Sequence, residues 1–293
     1  MAAASDDGNY CGDGREKARD VARDVSRDIA RDIAVIKIGG SILTSAAAYR
    51  RAAKFVRQTL AANPEERIVV VVSAQEGATD ELERVAKKIH PKPNSATQDL
   101  LWSTGEIRSV ALLTLHLETI GVRAAGLNIH EAGLTLPETD RQAGRIALHA
   151  GRLSEVLADF SVAVVPGFFA TNPARQIVSL GRGGSDLTAV LLAEGLRACR
   201  CELIKDVPGY FTADPHQDAS ARHLPFLSFE EAISMADEGC NLVQRQAIVA
   251  AQRCGLPLVI RSVHKKTTSS RVAAARVEVA RDAERFAGAR ASI

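Results

Sequence analysis

Five apolar runs, Ile33–Ile38, Ile68–Val72, Ser161–Val165, Glu202–Ile204 and Leu256–Ile260, alternate along this chain with stretches of helical patterning. Alternation of that kind argues for a mainly parallel sheet sandwiched by helices, because strands of a parallel sheet bury both faces and read as continuous apolar segments. The expected fold is therefore α/β in three layers. At 293 residues with 46% hydrophobic content, the chain can bury a sizeable core as one bilobal domain or two close lobes.

Two of the runs end in chemistry. Val35-Ile36-Lys37-Ile38-Gly39-Gly40-Ser41 is an apolar strand that holds a single lysine and closes on a glycine pair. A lysine is seldom buried without a partner, and the partner expected for Lys37 is a phosphate. Val69 to Val72 leads into Ser73-Ala74-Gln75-Glu76-Gly77-Ala78-Thr79-Asp80, a polar loop before a helical pattern from Glu81. Both strands deliver polar loops at their carboxyl ends, where open α/β sheets bind ligands.

A third segment, Ser-Leu-Gly-Arg-Gly-Gly-Ser-Asp-Leu-Thr-Ala at 179 to 189, builds an anion site. Gly181, Gly183 and Gly184 free the backbone for close approach to a ligand, and Ser185 is placed to cap the helix suggested by Leu187 to Leu196. The helix start presents unpaired N–H groups to a phosphate, Arg182 adds a fork of donors, and Asp186 sets a carboxylate at the mouth. Together these residues suggest phosphoryl transfer. Neither the P-loop pattern nor GxGxxG occurs.

Composition narrows the class further. A formal net charge of +2 is too small to point to nucleic acid as the main partner. No run of 18 apolar residues occurs and the N-terminus is too charged for a signal peptide, so the expected setting is cytoplasmic, with no membrane partner. Cys11, Cys199, Cys201, Cys240 and Cys254 read as reduced thiols, and Cys199-Arg200-Cys201 lacks the further ligands a zinc site needs; no metal-ligating set is expected. Residues 1–32 form a charged, low-complexity extension, in which Arg-Asp-Val-Ala at 19–22 recurs with small changes through Arg31-Asp32-Ile33-Ala34. Its few apolar residues offset little ordering entropy, so a solvated extension is expected.

Seven blocks in order resemble the amino acid kinase superfamily, and within it the aspartokinases, over roughly Val35 to Ser262. They are Lys-Ile-Gly-Gly-Ser at 37–41, Val-Ser-Ala at 72–74 with Thr79-Asp80, Ser-Thr-Gly-Glu at 103–106, Val-Pro-Gly-Phe at 165–168, Leu-Gly-Arg-Gly-Gly-Ser-Asp-Leu-Thr-Ala at 180–189, Lys-Asp-Val-Pro-Gly at 205–209 and Thr-Ala-Asp-Pro at 212–215. The resemblance implies the carbamate kinase-like fold of that family over residues 33–275, with an amino-acid lobe at 33–178, a nucleotide lobe at 179–275 and an Ala/Arg-rich tail at 276–293. It implies ATP-dependent phosphorylation of the side-chain carboxylate of L-aspartate, with Mg2+, by a homo-oligomer acting on small molecules. That reaction opens lysine and diaminopimelate, threonine and methionine synthesis.

Site roles follow from the same resemblance. Lys37 would contact the transferring phosphoryl group and Asp186 would organise that lysine and the metal-bound phosphates, the two catalytic positions. Ser73, Thr79, Glu106 and Arg182 would bind the amino acid, Arg182 at its carboxylate and Glu106 at its ammonium. Gly39, Gly40, Ser41, Gly183, Gly184, Ser185, Lys205, Asp206, Phe211, Asp214, His216 and Lys265 would surround the nucleotide.

The chain also departs from the family pattern. His216 stands where an arginine usually reaches the nucleotide phosphates, and an imidazole holds them less firmly. Gly239-Cys240-Asn241-Leu242-Val243-Gln244-Arg245 replaces a segment that normally reads Gly-Ala-Lys-Val-Leu-His-Pro. In Val263-His264-Lys265-Lys266-Thr267, a lysine is either a phosphate contact or part of an exposed loop. About 30 residues follow Ser262, too few for an amino-acid-binding regulatory domain, so a free-standing catalytic unit is expected. Two other readings stand beside this one: a related carboxylate kinase with another amino-acid-like substrate, and a non-catalytic partner subunit that keeps the fold and pocket.

Overall fold

The computed structural model describes residues 33–136, 146–181, 183–215, 217–263 and 268–274. Arg182, His216 and Lys265 lie outside these residues, as do the extension through Asp32, Ala275 and the tail at 276–293.

The longest apolar runs form the middle of an eight-stranded sheet. In chain order its strands are β1 (Ile33–Ile38), β2 (Arg67–Val72), β3 (Ala124–Gly126), β6 (Val162–Pro166), β9 (Arg200–Lys205), β12 (Phe226–Leu227), β13 (Leu258–Ser262) and β14 (Ser269–Val272). Across the sheet they lie in the order β12-β14-β13-β9-β1-β2-β6-β3, and every neighbouring pair is parallel except β13 with β14. The final copy of the Arg-Asp repeat therefore changes character: Ile33 and Ala34 begin β1 and are buried. The last central strand runs Leu258–Ser262 rather than Leu256–Ile260, because Leu256 closes the preceding helix end through its amide to Ala251 O at 2.9 Å.

Side-chain alternation sends the two faces of these strands into separate cores. Ile36, Ile38, Ile68, Val70 and Val72 pack under helices α1 (Ala46–Ala62) and α3 (Ser95–Glu118) through Tyr49, Phe55, Leu113 and Leu117. Val35, Val69, Val71, Cys201 and Leu203 pack on the opposite side under α5 (Gly151–Asp159), α6 (Gly184–Gly195), α7 (Phe229–Asp237) and α8 (Arg245–Cys254). These layers are the three the sequence predicts, and full burial on both faces explains why β1 and β2 carry almost no polar residues. Helices α2 (Ala78–Ile89) and α4 (Ile129–Ala132), a four-stranded sheet of β4 (Leu134–Thr135), β5 (Ala147–Leu148), β7 (Phe169–Thr171) and β8 (Ile177–Ser179), and a hairpin of β10 (Tyr210–Phe211) and β11 (His223–Leu224) complete the described chain.

β1 lies between β2 and β9, so the chain leaves it toward one side of the sheet and returns on the other. The crevice beyond its carboxyl end is a topological switch point.

Candidate active site

In a strand, residues two apart share a face. Lys37 therefore points with Val35 toward the α6 side, and Lys205 points there with Cys201 and Leu203. The parallel register pairs Lys37 with Leu203, which places Lys205 two residues further along the same face of the next strand. Both ammonium groups converge on the first turn of α6. Lys37 Nζ lies 2.8 Å from Asp186 Oδ1, and Lys205 Nζ lies 2.8 Å from Asp186 Oδ2.

Two lysines on one carboxylate leave a surplus positive charge. Burial, followed by the neighbouring Lys37 ammonium, lowers the Lys205 pKa against the opposing pull of Asp186. Burial alone would raise the Asp186 carboxyl, yet the two ammonium groups prevail and hold it down at about 2. An anion brought to this trio balances the surplus, as a transferring phosphoryl group would.

Backbone around the trio is shaped for close approach. A Cβ on Gly39 would lie 3.3 Å from Lys37 Nζ, and one on Gly40 would lie 2.6 Å from the Ala74 carbonyl oxygen, so the turn after β1 admits no side chain at Gly40. Ser41 is exposed beyond them, and Ile42 and Leu43 close the turn onto the Gly39 and Gly40 carbonyls at 3.1 and 2.9 Å. On the facing loop it is Gly183, not Ser185, that caps α6. Gly183 has φ +76° and no side-chain cap is made; Ser185 sits inside the first turn, against Gly167, where a Cβ would come within 2.7 Å of the Ser185 side chain. The helix thus begins at Gly184, earlier than the apolar run from Leu187 suggests, and its Gly184 and Asp186 amides donate back to the Gly181 and Gly183 carbonyls at 3.0 and 3.1 Å, which tightens the loop onto the helix start. Gln244 packs over Gly183, which has no Cβ to meet it.

Glu106 enters from the other layer. It lies on α3, 3% exposed, and its Oε1 accepts a hydrogen bond from the Ala74 amide at 3.3 Å, while Oε2 is buried without a partner among the described residues. Burial pushes its carboxyl from 4.5 up to about 7, against the pull of the Ala74 amide. The proton is therefore held more tightly in the folded chain than in the unfolded one. This group's linkage makes stability fall as pH rises from about 4.5 through 7 and recover on acidification. Glu106→Gln is expected to raise the melting temperature at pH 8, by on the order of 1–2 kcal/mol of stability, and to do little at pH 5; calorimetry at the two pH values checks it.

Ser73 and Thr79 are half-buried at the end of β2 and in the first turn of α2, and the Ser73 amide reaches the Ile38 carbonyl at 3.2 Å. Asp206 follows Lys205, and its carbonyl accepts from Ser262 Oγ at 3.4 Å. Phe211 meets His223 edge-on at 5.3 Å between ring centroids, and Asp214 accepts from Gln217 Nε2 at 2.8 Å. These residues lie on or beside the β10–β11 hairpin, which is pinned by a residue that sequence reasoning passed over. Ser270 Oγ, fully buried, accepts from the Tyr210 amide at 2.8 Å and donates to the Leu224 carbonyl at 2.5 Å. The Tyr210 hydroxyl, at the far end of that side chain, is buried with no hydrogen-bond partner among the described residues. Tyr210→Phe is accordingly expected to leave stability unchanged or raise it by up to about 1 kcal/mol, read from urea denaturation, since it removes an unsatisfied polar group at constant shape.

Sequence reasoning also missed Asp99, Trp102 and Thr188. Asp99 Oδ2 accepts from the Ser179 amide at 3.1 Å, fastening α3 to the strand before the glycine loop. Thr188 Oγ1 donates to the Gly184 carbonyl at 2.8 Å and accepts from the Phe168 amide at 3.1 Å. Neither residue carries a local signal beyond its place within a recognised block or one helical turn from it.

Fold and site together define a class. The sequence profile of the amino acid kinase family matches residues 32–262, and the chain belongs to that family. It is 40% identical over 196 residues to an aspartokinase of Thermus thermophilus, covering 67% of this chain and 48% of that one, and 37% identical over 229 residues to an aspartokinase of Mycolicibacterium smegmatis, covering 78% and 54%. Among solved structures, aspartate kinase from Synechocystis superposes with a TM-score of 0.73 at 31% identity, over 84% of this chain and 40% of that one. The chain spans about half the length of the curated relatives it matches.

Proposed function

We propose that this chain is an aspartate kinase unit that transfers the γ-phosphoryl group of ATP to the side-chain carboxylate of L-aspartate, giving 4-phospho-L-aspartate and ADP. The observation that carries this reading is the buried Lys37–Asp186–Lys205 trio at the carboxyl ends of β1 and β9, facing the amino end of α6. The aspartokinase relatives support the choice of acceptor.

A carboxylate oxygen of aspartate attacks the γ-phosphorus as the bond to the β,γ-bridging oxygen breaks, and the bonding electrons leave with ADP. No general base is needed, because the nucleophile is already anionic. The protein's work is positioning and charge stabilisation. Lys37 and Lys205 face the charge that spreads over the phosphoryl oxygens, and Asp186 holds both ammonium groups in place. Gly39, Gly40, Ser41, Gly183, Gly184 and Ser185 cradle the phosphates, with Asp206, Phe211 and Asp214 toward the nucleoside. His216, in the place of the family's arginine, and Lys265 would join them by sequence position. Glu106 accepts the substrate ammonium, Arg182 its carboxylate, and Ser73 and Thr79 add hydroxyl contacts.

Mg2+ would supply further neutralisation of the phosphates. Among the described residues no three His, Cys, Asp or Glu side chains cluster to hold a metal, and both Asp186 oxygens are engaged by lysines. That donor set suits an ion carried mainly by phosphate oxygens and water, as Mg2+ commonly is. The setting proposed is the cytoplasm, and none of the described helices is long and apolar enough to cross a membrane. Leu100, Ile107 and Leu115 expose apolar side chains on α3, which supports association into a homo-oligomer, testable by analytical ultracentrifugation.

The deciding experiment traps the acyl phosphate with hydroxylamine across a panel of amino acids in the presence of Mg-ATP. Hydroxamate from L-aspartate alone is the expected result. Product from another acidic amino acid instead would move the chain to a different carboxylate kinase, and no product at all would point to a binding subunit.

A further inference from the structure

Buried polar atoms in folded proteins almost always have hydrogen-bond partners, so an orphan beside an active site is informative. Two orphans of opposite kind lie one turn apart on α3. Among the described residues, Trp102 Nε1 is a buried donor with no acceptor and Glu106 Oε2 a buried acceptor with no donor. Residues four apart on a helix have Cβ atoms about 5–6 Å from each other, so both side chains leave α3 on one face.

The indole is also held in place. Its ring lies 6.4 Å from that of Phe168, which in turn sits 4.6 Å edge-on to Phe169. Phe168 adopts φ +72°, a conformation costly for a bulky residue. Its amide donates to Thr188 of α6 and its carbonyl accepts from the Leu180 amide at 2.8 Å. Its ring packs where a Cβ on Gly184 would be, 2.9 Å away. Trp102 therefore bridges the Glu106 subsite and the start of the phosphate-binding helix.

We propose that Trp102 is a substrate-binding residue, its Nε1–H donating to a carboxylate oxygen of the same amino acid whose ammonium rests on Glu106. An amino acid supplies what each orphan lacks: an ammonium for the acceptor and a carboxylate for the donor. Packing alone accounts for the ring of Trp102 but not for a buried N–H that no described residue accepts. The inference rests on reading the site as one for aspartate.

Trp102→Phe keeps an aromatic ring against Phe168 and removes the N–H. The aspartate KM is expected to rise about tenfold or more, as loss of a hydrogen bond to a charged group implies. The saturated kcat and the ATP KM should stay within about twofold. An unchanged aspartate KM overturns the inference, and so does an equal loss in kcat or ATP KM, which is what ring packing alone would produce.

Trp102 is also the single tryptophan of the chain, so its emission reads the site directly in the unaltered protein. Aspartate should change that emission saturably, with a midpoint near its KM; unchanged emission at saturating aspartate overturns the inference. Absence of aspartate turnover by the unaltered chain defeats the functional reading and this inference with it. Turnover alongside a Trp102→Phe variant of ordinary aspartate KM defeats the inference alone.

Discussion

Lys37→Ala is expected to lower kcat at least about 100-fold, while the KM for each substrate moves far less. The lysine acts on charge that develops during transfer, so its removal raises the transition state more than the bound ground state. The fold should survive, because Lys205 still pairs with Asp186 at 2.8 Å and the remaining buried charges balance one to one. Steady-state kinetics with a circular dichroism melt separates the two effects. Turnover within a few fold of the unaltered chain would remove phosphoryl transfer from this site.

Asp186→Ala is expected to damage the fold as well as the chemistry. It strands two buried ammonium groups with no counter-charge, the situation in which removing one member of a buried ion pair costs about 3–5 kcal/mol. The pH dependence identifies the cause. Lys205 is already pushed below its ordinary 10.5 by burial and by Lys37, and without Asp186 nothing opposes that shift. A lysine whose folded pKa lies below its unfolded value makes stability rise with pH, because the unfolded chain then binds more protons. The deficit of Asp186→Ala should therefore shrink between pH 7 and pH 10, measured by urea denaturation at each pH. A deficit that stays constant across that range would mean that the two lysines are not its source.

Much of this site was legible from local sequence. Lys37 is conspicuous as the single charged residue inside an apolar strand, and glycine pairs at 39–40 and 183–184 announce backbone that must approach something closely. The cap of α6 was less legible. A serine one residue inside a helix start looks like an N-cap, yet the αL conformation at Gly183 decides where the helix begins, and φ is not written in the residue type of its neighbour.

What the sequence by itself determined is local: which segments are strands buried on both faces, where the chain turns, and which residues at strand ends can carry charge. What only the tertiary structure decided is pairing across distance. Lys205 lies 168 positions after Lys37, and it shares Asp186 with that lysine only because β9 docks in parallel beside β1 in a register that puts both on one face. Glu106 is an ordinary helix carboxylate until α3 packs over the end of β2, strips its water and raises its pKa to about 7. The buried N–H of Trp102, without an acceptor among the described residues, likewise arises only in the folded chain. Propensity and patterning act over a few residues, whereas desolvation and ion pairing depend on every segment that arrives at the site.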